Sequence, residues 1–140
     1  MGVNLIDSSE LVTNIYGFWP RFDGAFVLAV SVETDSARFY EFGERTLTID
    51  IHWWLEASDH YPGGPIVFNE KDLHRRIRMA FSVEDIRIHT FHCDDTSINN
   101  LLIQPDKRQL QCDGGFELSC KYSEARVLLA EPCDEIGRTL

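Results

Sequence analysis

The stretch that decides the fold is YGFWPRFDGAFV, residues 16–27, which joins a short helix to the first strand. Gly17 suits the left-handed residue that ends a helix, and Pro20 prevents the helix from resuming. Three large aromatic side chains follow closely, and each can bury on the order of 150–250 Å². We expect them to close one end of the hydrophobic core; they are Phe18, Trp19 and Phe22.

The elements on either side of this stretch follow from local signals. Upstream, Asp7 and Glu10 have the spacing of a helix N-cap and its third residue, so a short helix is predicted to end near Tyr16. Downstream, the pair Asp23-Gly24 favours a turn, and residues 25–34 read as the first strand. Period-two spacing puts four apolar side chains on one face of that strand: Phe26, Leu28, Val30 and Val32.

The clearest strand is predicted at residues 45–56, where apolar and polar side chains alternate. Leu47, Ile49, Ile51 and Trp53 should face the core. Thr48, Asp50, His52 and Trp54 should then face solvent or a partner. An exposed Trp beside charges is a common interface anchor, whereas the loop that follows the strand could instead cover Trp54. The sequence leaves both interpretations open.

The remainder of the chain reads as short strands joined by turns. Strands are predicted at residues 75–82, 83–91, 100–104, 109–112, 116–122 and 124–131. Asp113-Gly114-Gly115 is a hairpin signal, residues 57–72 form a long loop, and the polar tail 133–140 is expected to fray. These patterns predict a single α+β domain, residues 1–140, that is mostly β. Its antiparallel sheet of about seven or eight strands is curved or folded into two layers, and one short N-terminal helix packs against it.

The charge of the chain disfavours some partners and suits others. The net charge is −10, and residues 1–70 hold 11 acidic against 3 basic residues. Nucleic-acid binding is disfavoured because phosphate contacts need clustered Lys and Arg. An acidic surface suits a basic partner, although high charge can also serve solubility alone. Residues 1–10 contain no Lys or Arg, and no apolar run reaches about 20 residues, so we expect a cytoplasmic protein without a membrane partner.

Chemistry-bearing residues concentrate at residues 89–94, with the sequence His-Thr-Phe-His-Cys-Asp. On a strand, His89 and His92 point to opposite faces because their spacing is odd, so no metal site and no cofactor are predicted. A small enzyme that uses His89, His92, Cys93 or Asp94 is an alternative, and it requires these side chains to converge in a pocket. The four cysteines lack metal-binding spacing and are expected to be free thiols, with Cys120 a small buried hydrophobe.

The opening stretch also carries a resemblance to a known family. It is similar to the N-terminal signature of the immunity protein 50 family, whose members protect bacteria against toxins of polymorphic toxin systems. The match covers Gly17, Trp19, Pro20, Phe22, Ala25 and Val27. The chain departs from the signature at Asp23-Gly24, where the family has His-Asp, and at Phe26, where an acidic residue is usual. Residues 123–132 resemble the family's closing strand, and residues 83–103 are only loosely similar.

The resemblance implies an immunity protein that binds and neutralises a cognate toxin and is not an enzyme. We assign Trp19, Pro20 and Phe22 to folding, and charge and expected exposure select the contact residues. These are Glu41, Glu44, Asp50, Trp54, Glu56, Asp59 and Tyr61. The partner is then a protein toxin with a basic surface. A structural or regulatory protein unrelated to toxins is a further alternative, and exposed strand edges would allow a homodimer.

Overall fold

The computed structural model describes residues 6–34, 45–55, 73–92, 94–134 and 136–139. These ranges hold one helix, α1 (Glu10–Tyr16), and seven strands. The strands are β1 (Ile6–Asp7), β2 (Phe26–Thr34), β3 (Arg45–Trp53), β4 (Arg75–Phe91), β5 (Ile98–Gln104), β6 (Gln109–Gly114) and β7 (Phe116–Pro132). The predicted class, α+β and mostly β with one short helix, is confirmed.

The strands form one sheet in the order β2-β3-β4-β7-β6-β5, and each neighbouring pair is antiparallel. The short β1 lies parallel to β7, where Ile6 is opposite Ala125. β1 and β6 therefore pair with the same edge of β7, at different positions along it, while β4 pairs with the other edge. The last strand in the sequence thus lies near the centre of the sheet.

The two ends of the strand order meet through backbone hydrogen bonds. The amide of Gly24 donates to the carbonyl of Ile98 (2.9 Å), and the amide of Ile98 donates to the carbonyl of Ala25 (2.9 Å). The amide of Leu101 donates in the same way to Arg21 (2.9 Å). The segment that leads into β2 therefore pairs with β5, and the sheet curls back on itself.

Two long strands replace four predicted ones. β4 runs through the predicted break at residues 82–83, and β7 runs through the predicted break near residue 123. The two breaks face each other, because Ser82 pairs with Glu124 while Val83 pairs with Tyr122, which leaves one extra residue in β7. Such a β-bulge bends a strand and shifts its alternation without ending it. The alternation of apolar and polar residues is interrupted there because the bulge changes which face of the sheet the following side chains occupy.

The core contains the side chains that the alternation in β3 and β4 predicts. Leu47, Ile49, Ile51 and Trp53 are buried, and so are Ile77, Met79 and Phe81. On β7 the predicted set Phe116, Leu118 and Cys120 is also buried. The first strand departs from its predicted face because a register shift lies between Val27 and Ala29. Val27 is consequently buried and Leu28 exposed, whereas Val30 and Val32, beyond the shift, are opposite the core residues Ile49 and Leu47, as predicted. Val32 is nevertheless exposed.

The helix ends as predicted but begins later. Gly17 adopts φ = 82° and its amide donates to the carbonyl of Thr13 (2.8 Å). The predicted N-cap, Asp7, lies instead in β1, and the helix starts after Ser9, whose side chain makes no capping hydrogen bond. The pairing of β1 with β7 thus places Asp7 in a strand instead of at the N-cap of the helix. This helix is too short to cross a membrane, and it is the one helix in the described ranges.

The turn between β6 and β7 lies at the predicted Asp-Gly-Gly sequence. Gly114 has φ = 131°, and the amide of Gly115 donates to the carbonyl of Ser97 (2.8 Å). A Cβ atom on Gly115 would overlap the backbone carbonyl of Asp95. The second glycine is required because the loop before β5 passes directly against it.

The expectation that the C-terminal tail frays is wrong for residues 133, 134 and 136–139, which form an ordered turn. Cys133 is buried and pairs with Thr139 in an isolated bridge. The Asp134 carboxylate accepts hydrogen bonds from the amides of Ile136 (3.0 Å) and Arg138 (2.8 Å). The polar composition that suggested fraying instead supplies the bonds that close this turn.

Candidate functional site

The aromatic residues of the opening stretch meet the end of β3. Phe22 is fully buried and packs edge-to-face against Trp19 (centroids 5.7 Å apart) and Trp53 (5.5 Å). Tyr16 packs in the same way on Trp53 (4.9 Å). Phe18, which was expected to join them, is instead 50% exposed. This cluster is structural, as expected for Trp19 and Phe22.

The pair Asp23-Gly24 also serves the fold. The indole Nε1 of Trp53 donates to the backbone carbonyl of Asp23 (2.9 Å). Gly24 adopts φ = 78° while its amide reaches Ile98. Neighbouring Phe22 holds φ = 58°, which is rare for a bulky side chain and is maintained only where packing determines it. The departure from the family signature therefore falls in a tight turn that the core holds in place.

Asp50 was predicted to be exposed, and this prediction is wrong: the residue is 4% exposed. Its carboxylate accepts two hydrogen bonds from Arg78 (Nε 2.8 Å, Nη2 3.1 Å) and one from Arg76 (Nη2 3.0 Å). Burial alone would raise the pKa of Asp50, but the hydrogen bonds and charges of the two guanidinium groups outweigh burial and lower it. The Asp50 charge is therefore neutralised within the chain and unsuited to attracting a partner.

Trp54 is also buried, at 4% exposed, so the exposed interpretation is wrong. Its ring stacks on Phe26 (centroids 6.0 Å, interplanar angle 17°) and on His74 (4.9 Å, 19°). His52 packs against it at 4.7 Å. A protein partner cannot use Trp54 as an anchor unless this aromatic stack opens.

A buried histidine pair lies beside Trp54, and sequence reasoning missed it. Nε2 of His52 is 2.8 Å from Nδ1 of His74. The pKa of His52 is lowered to about 4, mainly by burial and in smaller part by the proximity of His74, while Asp134 opposes the change. Gly137 lies so close that a Cβ atom on it would be 3.2 Å from Cβ of His52. The C-terminal turn therefore covers the histidine pair.

The signal for this pair was weak in the sequence. His52 occupied the face assigned to solvent, and His74 preceded a predicted strand within a charged stretch. Together with Asp50, these two residues are the buried polar or charged side chains of the described ranges. Asp50 and His52 lie on β3, and His74 immediately precedes β4; all three are on the face opposite the main core.

The other five predicted contact residues fall outside the described residues. They are Glu41, Glu44, Glu56, Asp59 and Tyr61. Glu41 and Glu44 precede Arg45, where β3 begins, whereas the other three follow Trp53, where it ends. At about 3.3 Å per residue, those two ends are roughly 26 Å apart. The predicted set is therefore two groups attached to opposite ends of one strand.

The His-Cys region does not form a site in the described residues. His89, His92 and Asp94 are exposed, and Cys93 falls outside the described ranges. Nε2 of His89 is 3.3 Å from the Ser119 hydroxyl, which is a surface contact. The described residues contain no group of three or more His, Cys, Asp or Glu side chains arranged to hold a metal.

The described cysteines are free thiols in buried positions: Cys112, Cys120 and Cys133. Burial raises the pKa of Cys112 to about 12 and the pKa of Cys120 and Cys133 to about 11. A thiol with so high a pKa forms little thiolate near neutral pH and is a poor nucleophile. These three residues act as small apolar side chains, as predicted for Cys120.

Comparisons of the chain with models of protein families, with curated proteins and with solved structures find no match.

Proposed function

We propose that this chain is an immunity-type protein that neutralises a protein toxin by forming a stoichiometric complex with it. The observation that carries the proposal is where the signature residues lie in the fold. Gly17 ends the helix, and Phe22, Ala25 and Val27 are buried. The match with the family signature thus falls on residues that hold this sheet together, as a shared fold requires, and leaves the surface to vary with the partner.

Charge supplies the second support for the proposal. A chain with net charge −10 is attracted to a basic protein surface, which raises the association rate at low ionic strength. Asp50 and Trp54 are withdrawn from the contact set because both are buried within the chain. The proposed contacts reduce to Glu41, Glu44, Glu56, Asp59 and Tyr61.

Co-expression with a candidate toxin domain, taken from a gene that neighbours this one, tests the proposal. Cell survival and co-purification with a catalytically inactive toxin are measured together. We expect rescue and a stable one-to-one complex. Charge reversal at Glu44 should weaken one end of the surface, and joint reversal at Glu56 and Asp59 should weaken the other. Asp106→Lys is the matched control, since Asp106 is an exposed turn residue outside the proposed contacts.

The outcomes separate the alternatives. Rescue without a complex would indicate an enzymatic antidote and direct attention to His92 and Cys93. Neither rescue nor complex would refute the pairing with the neighbouring toxin. If Asp106→Lys weakens the complex as much as the other reversals, overall charge and not a defined surface governs binding.

A further inference from the structure

A groove of about 270 Å³, lined by six polar side chains together with Leu110 and Cys120, lies on the face of β4, β7 and β6 that points away from the core. Ser119 and Lys121 project into it, while the alternating residues Leu118 and Cys120 have their side chains buried. Six side chains provide the polar lining: Asp85, Arg87, Gln109, Gln111, Ser119 and Lys121.

Strand register arranges these side chains in two neighbouring rows. Lys121 is opposite Asp85 on one side and Gln109 on the other. Ser119 is likewise opposite Arg87 and Gln111. Arg87 and Lys121 are therefore diagonal neighbours, at a separation of about 7–8 Å between backbone positions, which long side chains can bridge. One ligand can contact both cations at once.

The two cations are largely uncommitted. Arg87 approaches Asp85 only to 3.9 Å, and both side chains are mostly exposed, at 72% and 62%. A solvated pair at that distance contributes little. Lys121 makes no ion pair with any residue in the described ranges. The groove thus carries two cations against one carboxylate, in a chain whose overall charge is strongly negative.

We propose that this groove binds a small oxyanion, either a phosphate or a carboxylate. Arg87 supplies a planar fork of N–H donors that matches either anion, and Lys121 adds a second positive charge. The Ser119 hydroxyl and the Gln111 amide lie in the same row as Arg87 and donate the remaining hydrogen bonds. Asp85 limits the affinity by repulsion. The proposal is independent of the toxin proposal, because no predicted toxin contact lines the groove.

The test is a titration of ¹⁵N-labelled full-length protein followed by amide chemical shifts. Inorganic phosphate is added in one series and acetate in another, at constant ionic strength with chloride as the balancing anion. We expect saturable shifts confined to residues 85–89, 109–111 and 119–121. Saturation by phosphate alone assigns a phosphate site, and saturation by acetate assigns a carboxylate site.

Substitutions of the groove residues test which side chains strengthen or weaken binding of the anion. Arg87→Gln and Lys121→Gln should each weaken binding about threefold to fivefold, the scale of one exposed ion pair. Asp85→Asn should strengthen binding by a similar factor. Arg126→Gln, an exposed cation elsewhere on β7, is the matched control and should change nothing. Absent or unsaturable shifts, or equal loss in Arg126→Gln, would overturn the proposal. All four side chains are exposed, so the variants should fold.

Discussion

Mild acid should destabilise this protein through His52. The residue is 2% exposed, and its pKa is lowered to about 4 from an ordinary value of 6.5. The unfolded chain therefore binds a proton near pH 6.5, whereas the folded chain resists protonation until about pH 4. A group whose pKa is lowered on folding in this way favours the unfolded state as pH falls between those values. The contribution of His52 is thus fully present above pH 7 and is lost progressively below pH 6.5.

The magnitude follows from the shift. Each unit of pKa difference corresponds to about 1.4 kcal/mol, so the free energy of unfolding should fall by about 2 kcal/mol between pH 7.5 and pH 5. The groups that face His52 are His74, immediately before β4, and Asp134, on the C-terminal turn. Asp134 attracts the protonated form, which moderates the loss without reversing it. Because the pKa of Asp50 is lowered, protonation of its carboxylate reduces the free energy of unfolding only at lower pH.

Urea denaturation followed by tryptophan fluorescence at pH 7.5, 6 and 5 measures this effect. His52→Gln removes the titrating group and keeps an amide that can reach His74, so its free energy of unfolding should vary by less than 1 kcal/mol over the same range. His89→Gln removes an exposed histidine and should behave like the wild-type protein. An equal pH dependence in the wild-type protein and in His52→Gln would refute the assignment.

Three further substitutions test the fold with chemical denaturation as the readout. Gly115→Ala introduces the overlap with the backbone carbonyl described above and should cost at least about 2 kcal/mol, whereas Gly17→Ala meets open space and should cost only the 1–2 kcal/mol of its left-handed conformation. Phe22→Ala should cost about 3–5 kcal/mol, whereas the exposed Phe18→Ala should cost below about 1 kcal/mol; equal costs would contradict the structural role of the buried ring. Asp50→Asn should cost about 2 kcal/mol, less than for a fully buried ion pair, because the two guanidinium groups it binds retain contact with water; no change would show that the ion pairs are not formed in solution.

Local sequence pattern predicted the core side of the central strands well. Leu47, Ile49 and Ile51 were identified from alternation alone, because one face of a sheet must be apolar whatever covers the other. The left-handed glycine at the end of the helix was found for a similar reason, since only the local backbone determines it. These features depend on residues that are neighbours in the sequence.

The opposite face of β3 could not be predicted in this way. Alternation assigned the face of Asp50 and Trp54 to solvent or a partner and left the cover of Trp54 open, but side chains from β4 and β2 cover the two residues. His52 is covered by Gly137, which lies far along the chain, in a tail whose composition suggested disorder. The local sequence pattern around a polar side chain on a predicted outer face is the same whether water or a distant segment of the chain covers that side chain. The loss of Asp50 and Trp54 from the predicted contact surface has this cause.

The breaks within the long strands show a third limit. A change of phase near Val83 and Ser123 predicts that one strand ends and another begins at each position, although neither site contains the Gly or Pro that a turn favours. Facing bulges produce the same change of phase while the chain stays extended. Only the pairing of β4 with β7 distinguishes the two, and pairing is a property of segments about 40 residues apart.

The order of the strands determines when the sheet can form during synthesis. β7 lies between β4 and β6, yet it is the last strand to leave the ribosome. Until it emerges, β4 and β6 have no strand between them, and β2–β4 can contact β5–β6 only through the pairing of the segment before β2 with β5. Completion of the sheet must therefore wait for β7, and β4 and β6 carry unpaired strand edges in the meantime. If the chain is an antidote, its protection begins only after β7 has been synthesised.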